Sequence, residues 1–276
     1  MSFKIISDSS SNILELSVSG FCSVPLKIIL GDKEYVDNKL LDGSSFVEEM
    51  SVSKAKCSTS CPNVFDWLEA FGDAQEIFAV TITSNLSGSC SAAMQAKEEY
   101  LKTNPDARVC VVDSLSAGPE MQLLIEKLVE LREKGVTFQE AEQQIAEYSK
   151  TTELIFSLQS LRNLAKNGRV SHTVAKIAGV LGIRVVGMAY EGVLNPLHKC
   201  RGERKALETL KQEMLNLGYK GGKIRIAHCE NEESANDIAE KIKATFHQGD
   251  VEIVKCTALC SFYAEKGGLL IGFETE

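Results

Sequence analysis

The stretch that most limits what this chain can become is residues 76–100, where a short apolar run, EIFAVTI at 76–82, gives way at once to TSNLSGSCS. A run of β-branched and aromatic residues bounded by polar ones marks a buried strand. Ala92, Ala93, Ala96 and Tyr100 then recur at helical spacing, so residues 81–93 are the turn between a strand and a helix. Ser87 and Gly88 stand where that helix starts: Ser87 can cap it, Gly88 lets a ligand approach the backbone, and the unpaired N–H groups of the first turn face outward with the positive end of the helix dipole. A phosphate or carboxylate would be held there without any lysine. The plainer reading of a lone Ser-Gly is an ordinary N-cap, and only the rest of the chain decides between the two.

The first half repeats the same alternation. Residues 4–7 form a strand that runs into Asp8-Ser9-Ser10-Ser11, and residues 24–30 (VPLKIIL) form a second, turned by Gly31-Asp32 toward Tyr35-Val36-Asp37. Residues 57–63 (CSTSCPN) precede an apolar stripe of Val64, Trp67, Leu68 and Phe71, with Pro62 suited to a first helical turn. That reading places Thr59 and Ser60 at a second helix start. RVCVVD at 108–113 is another buried strand, Pro119 opens a helix carrying Leu124, Leu128 and Leu131, and Thr137 with Glu140 forms a capping box for the next. Residues 154–158 close the series as one more strand. Strands alternating with helices predict a parallel α/β sheet, whose ligands gather at the carboxyl ends of the strands. Asp8-Ser9, residues 84–89 and Asp113-Ser114 all follow strands and should share that edge.

The second half has a different pattern. A helix with Leu158, Leu161 and Leu164 ends at Asn167-Gly168, just before Arg169, and Val174, Ile177, Val180 and Leu181 form a further stripe up to Gly182. Residues 183–190 and 193–199 flank Glu191-Gly192 as a hairpin. Helices over 203–217 and around Ile238 and Ile242 then alternate with strands at 223–229, 251–256 and 269–273. The expected fold class is therefore α/β: an N-terminal parallel-sheet domain over 1–158, and a second α/β domain over 159–276 with a mixed or antiparallel sheet. A ligand would sit in the cleft between them.

With 38 acidic against 30 basic residues, a net charge of -8, the chain lacks the basic face of a general nucleic-acid or acidic-membrane binder. No apolar run is long enough to span a bilayer, and MSFKIISDSS has no signal-peptide character, which predicts a cytoplasmic protein without an integral membrane segment. Nine scattered cysteines fit reduced thiols better than a disulfide framework, and the C-x3-C pairs Cys57/Cys61 and Cys256/Cys260 lack the second pair a zinc site needs. GxSxG, HExxH, Walker and GxGxxG motifs are all absent, so neither cofactor nor metal is expected. Asp8, Asp37 and Asp113 could bind a metal near strand ends, although such residues more often serve turns. His172 and His228 lack an evident partner. The constellation that remains is Thr59, Ser60, Ser87, Gly88, Arg169 and Arg201: hydroxyls and helix N–H groups for one end of an acid, with a guanidinium for its charge.

Taken together, these stretches resemble the DegV family of bacterial two-domain proteins. The likeness rests on Asp8-Ser9, Val24-Pro25-Leu26 with residues 31–37, Thr59-Ser60-Cys61-Pro62, Leu86-Ser87-Gly88-Ser89, Asp113-Ser114, Gly168-Arg169-Val170-Ser171 and Arg201 ahead of Lys205-Ala206. It implies a long-chain fatty acid lying in an apolar tunnel, with Thr59 and Ser87 on its carboxylate and Arg169 and Arg201 facing the head group or a partner. The implied partner is a fatty-acid kinase, related to dihydroxyacetone kinases, that phosphorylates the carboxyl group; the binding protein itself would not be an enzyme. One departure stands out: where the family has His followed by Gly-Pro-Gly, this chain reads Tyr263-Ala264-Glu265-Lys266-Gly267-Gly268. Tyr263 can donate a hydrogen bond to a carboxylate but carries no positive charge near neutrality. The residues alone leave two other readings open: an enzyme acting on a phosphorylated or carboxylated small molecule at the same cleft, and a binder of another anionic amphiphile such as a lysolipid or isoprenoid.

Overall fold

The computed structural model describes residues 3–18, 20–53, 55–171, 182–247 and 249–275. Four strands, β1 (Lys4–Asp8), β2 (Phe21–Val24), β6 (Glu76–Thr81) and β7 (Arg108–Asp113), make a parallel sheet in the order β2-β1-β6-β7. Both faces are covered, as a parallel sheet requires. Ile6, Ile77 and Ala79 point toward α2 (Val64–Phe71) and α3 (Ser89–Thr103), where Trp67, Phe71 and Ala93 meet them. Ile5, Phe78 and Val80 point the other way, onto α4 (Pro119–Glu133) and α5 (Phe138–Tyr148). The capping box at Thr137 and Glu140 is present, with the Thr137 N–H donating to the Glu140 carboxylate at 2.8 Å.

The second sheet has six strands, β8 (Thr152–Leu158), β9 (Ile183–Tyr190), β10 (Val193–Arg201), β11 (Ile224–His228), β12 (Val251–Lys255) and β13 (Leu269–Glu274), in the order β10-β9-β8-β13-β11-β12. It is mixed: β11 and β12 are parallel and the other pairs antiparallel. Helices α7 (Glu203–Asn216) and α8 (Glu232–Lys243) cover one face through Ala206, Leu210 and Ile238. The strand read from sequence as the last of the first domain, β8, instead pairs with β9 and β13 at the centre of this sheet. Helix α4 packs against β1 and β6 on one side and β8, β11 and β13 on the other, so the two sheets share it.

A third, smaller sheet was not expected. The single strand anticipated over 24–30 is divided at Pro25, which has no N–H for a ladder, and Leu26 N–H donates instead to Ser9 Oγ at 3.0 Å. Beyond that break, β3 (Lys27–Leu30), β4 (Lys33–Val36) and β5 (Cys57–Ser60) pair antiparallel in the order β4-β3-β5, with α1 (Gly43–Val52) between β4 and β5 in the chain. Thr59 and Ser60 therefore lie on a strand and not at a helix start. Asn63 caps α2, accepting from Phe65 N at 2.8 Å while its own N–H donates to Asp66 at 2.7 Å. The helix expected through Leu158 and Leu161 is confined to the single turn of α6 (Arg162–Lys166), because residues 152–158 are committed to β8. A short α9 (Ala258–Ala264) precedes β13. The stripe of Val174, Ile177, Val180 and Leu181, and His172, lie outside the described residues.

The β9–β10 hairpin turns at Glu191 and Gly192, both with positive φ, as its sequence predicts. Its tip closes on the first sheet: Thr83 Oγ1 donates to Gly192 O at 3.0 Å and Asn85 Nδ2 to Glu191 O at 2.9 Å. A Cβ at Gly192 would come within 2.4 Å of Thr83 Oγ1, so this turn needs glycine for space as well as for φ.

Candidate binding site between the sheets

The carboxyl ends of β1, β6 and β7 do share one edge, and their aspartates hold the loops that follow. Asp8 is buried; its Oδ2 accepts from Ser89 Oγ at 2.6 Å and Ile82 N at 3.0 Å, and its Oδ1 accepts from the N–H and hydroxyl of Ser10. Burial raises its pKa, while hydrogen bonds from Ser10, Ser89 and Ile82 pull it back. Asp113 accepts from Ser84 N at 3.2 Å and Leu115 N at 3.1 Å. Both carboxylates are thus engaged with their own chain. Among the described residues, no group of three or more His, Cys, Asp or Glu could hold a metal ion.

Residues 82–89 are thereby fastened from two sides, and this sets Ser87 in the wall of a cavity. The α3 N-cap position belongs to Gly88, without a side-chain cap; Ser87 Oγ accepts from Ser89 N at 3.3 Å. The expected capping serine is displaced by one residue, because the turn is closed by Asp8 gripping Ser89. The cavity and its open mouth together enclose about 720 Å³ of space not filled by atoms. Among the described residues its wall is largely apolar. From β8 come Leu154, Phe156 and Leu158, alternate residues that share one face of the strand, while Ile155 faces the α7–α8 core. The Phe156 ring crosses directly over Gly187, where a Cβ would lie 2.5 Å from it. Leu26, Leu86, Leu194 and Leu270 add walls from four other segments, and Ser10 and Cys260 also contribute.

Besides Ser10, four polar side chains line this cavity: Thr59, Ser87, Arg169 and Tyr263. Thr59 Oγ1 and Tyr263 Oη are 2.6 Å apart. The Arg169 guanidinium stands 5.9 Å from the Tyr263 ring centroid, in cation–π range, and its Nε donates to Leu86 O at 3.1 Å, one residue before Ser87. A second nitrogen of the same guanidinium donates to Asn167 O. Burial pushes the Tyr263 phenol above its ordinary pKa, offset in part by the Thr59 hydrogen bond and the Arg169 charge, so near neutral pH it stays a neutral donor. Hydroxyl donors and one guanidinium on an apolar cavity suit a single acidic group carried by a long apolar body.

Of the residues singled out in the sequence, the structure brings these four together and leaves three apart. Ser60 neighbours Thr59 on β5, and adjacent strand residues face opposite sides. Gly88 stands against Cys61, whose Sγ would be 3.1 Å from an added Cβ; its missing side chain makes room for that thiol. Arg201 ends β10 on the exposed surface, outside the cavity. Sequence reasoning missed the wall itself. The alternation of Leu154, Phe156 and Leu158 was the available signal, masked by the apolar Ile155 between them.

Fold and site define a three-sheet α/β protein with a largely apolar cavity whose wall carries a few hydroxyls and one guanidinium. The chain belongs to the DegV family, whose family model, described as "Uncharacterised protein, DegV family", matches residues 2–276. A DegV domain-containing protein of Streptococcus pneumoniae strain R6 is 42% identical over 281 residues, covering 100% of both chains. Among solved structures, a DegV family protein from Eubacterium eligens, loaded with heptadecanoic acid, is similar at 43% identity and a TM-score of 0.96, over 99% of this chain and 100% of that one. The Fatty Acid Kinase B3 protein of Streptococcus pneumoniae, loaded with linoleic acid, is 42% identical with a TM-score of 0.98, covering 100% of both chains.

Proposed function

We propose that this protein binds a long-chain fatty acid, with the acyl chain in the cavity and the carboxylate at Thr59, Ser87, Arg169 and Tyr263, and presents that carboxylate to a kinase. The observation that carries the reading is one largely apolar cavity whose wall holds Ser87 together with the linked group of Thr59, Tyr263 and Arg169. Burying each methylene gains about 0.8 kcal/mol, and a charge-assisted hydrogen bond adds about 1.5–3 kcal/mol, so the tail sets affinity and the polar cluster sets orientation. The acyl chains carried by the Eubacterium and Streptococcus neighbours support the ligand, and the kinase name of the latter supports the partner. The chemistry of phosphorylation is then the partner's, a kinase of the dihydroxyacetone-kinase type, and Arg201 on the exposed end of β10 is available to it. The natural division of the polypeptide under this reading falls between α5 and β8, one strand earlier than residue 158, with the ligand at the junction.

Mass spectrometry of the denatured, purified protein tests the ligand: a co-purified acyl chain, or saturable uptake of palmitate or oleate, is expected. Absence of both contradicts the reading. Ser87→Ala and Thr59→Ala should each weaken retention by about tenfold or more without unfolding the protein, whereas Ser60→Ala and Arg201→Ala leave it unchanged. Equal effects from all four variants would move the carboxylate elsewhere.

A further inference from the structure

Glu265 adopts a backbone conformation that L residues seldom take. It ends α9 with φ 53° and ψ 167°, close to a region essentially reserved for glycine, yet it is a glutamate and only 7% exposed. Strain of this kind persists where surrounding contacts over-determine it, and here they are specific. Its Oε1 accepts from Ser160 Oγ at 2.8 Å and from Asn163 N at 3.1 Å, and its Oε2 pairs with the Arg162 guanidinium at 3.4 Å. Asn163 returns the tie, donating from Nδ2 to Phe262 O at 2.8 Å. One carboxylate therefore fastens the last turn of α9 to the first turn of α6.

Part of the polar cluster lies on α9 and part just beyond α6. Tyr263 lies two residues before Glu265 on α9. Arg169 follows α6 and is folded back on it, its N–H donating to Leu164 O at 2.8 Å. The Tyr263–Arg169 contact spans those two segments and requires them to keep a fixed spacing, and the Thr59 hydrogen bond then ties the same Tyr263 hydroxyl to β5. We infer that Glu265 is a positioning residue: by clamping α9 to α6 it holds the Tyr263 hydroxyl in the cavity wall, where it meets the ligand's carboxylate. It lines the polar groove on the far side of the wall, together with Asn163 and Arg162, and so acts on the ligand only through Tyr263. This inference rests on the fatty-acid reading above.

The test is the rate of oleate loss from the intact protein. Glycine accepts the Glu265 backbone without strain, so Glu265→Gly should fold with an unfolding midpoint near that of the parent yet release oleate about tenfold faster. Glu265→Gln keeps an acceptor for Ser160 and Asn163 and should restore retention to within about twofold. In a Tyr263→Phe background, Glu265→Gly should add less than about twofold, because the group it positions is gone. Ser160→Ala, which removes one donor without touching the strained residue, should give a smaller loss that also vanishes in the Tyr263→Phe background. Retention unchanged in a folded Glu265→Gly, or Ser160→Ala and Glu265→Gly losses that persist undiminished beside Tyr263→Phe, overturns the inference while leaving fatty-acid binding intact. A parent protein that takes up no oleate removes the functional reading, and the inference with it.

Discussion

Glu120 is enclosed where α4 meets β8, and burial pushes its carboxyl from 4.5 up to about 7, against the pull of the Ser116 and Thr152 hydroxyls. Thr152 Oγ1 donates to it at 2.9 Å. Because the folded pKa is the higher one, between about pH 4.5 and 7 the native protein keeps a proton that the unfolded chain has released. Stability from this group is full below the unfolded pKa and declines as the pH rises through the folded one. Asp37, pushed from 3.8 to about 6 by burial, acts in the same direction over a lower range. Glu120→Gln should therefore stabilise the protein at pH 8 by about 2 kcal/mol, and by much less at pH 5. Urea unfolding at both pH values checks this; a variant no more stable than the parent at pH 8 contradicts it. Such a cost at the seam between the sheets contrasts with Tyr263, where burial raises a pKa that was already far above neutrality and so merely keeps a donor neutral.

Among elements, β8 matters most to the ligand. It is central in the six-stranded sheet, shows Ile155 to the core under α7 and α8, and shows Leu154, Phe156 and Leu158 to the cavity. β8 is paired on both edges and packed on its other face, so under the proposed reading a tail lying along it gains its burial energy methylene by methylene. Dissociation constants for a saturated series should then fall roughly fifteenfold for every two carbons added, until the cavity is full. Titration of C10 to C16 acids measures it, and a flat series would mean that the tail lies on the surface. The hairpin of β9 and β10 is the complementary element: it brings Leu194 to the cavity while its tip is hydrogen-bonded to Thr83 and Asn85 of the first sheet.

At the scale of the molecule, what was legible in the sequence was what local chemistry decides. The strand, turn and helix over 76–100, the capping box at Thr137 and the hairpin at Glu191-Gly192 are all set by residues close together in the chain, and the shared edge of β1, β6 and β7 follows from the strand–helix alternation. Sheet membership was not: residues 154–158 are apolar at nearly every position, and such a run does not reveal which sheet it joins. The hydroxyl-rich CSTS of β5 lacks the usual strand composition and forms only because β3 offers an edge. For the site, Thr59, Ser87, Arg169 and Tyr263 were each named from motifs or from the family resemblance, but they stand on four separate segments, and no sequence spacing displays that these line one cavity. Ser60, Gly88 and Arg201 lie outside the cavity lining: Ser60 is the strand neighbour of Thr59, Gly88 backs onto Cys61, and Arg201 is exposed at the end of β10.

The most direct measurement is a crystal structure of the protein loaded with oleate. The acyl chain should run along Leu154, Phe156 and Leu158, with the carboxylate oxygens within hydrogen-bond reach of Thr59 Oγ1 and Ser87 Oγ and Arg169 still stacked on Tyr263. Oleate seated in the polar groove, or lying in the cavity with its carboxylate against Ser10 and Cys260, would contradict the account.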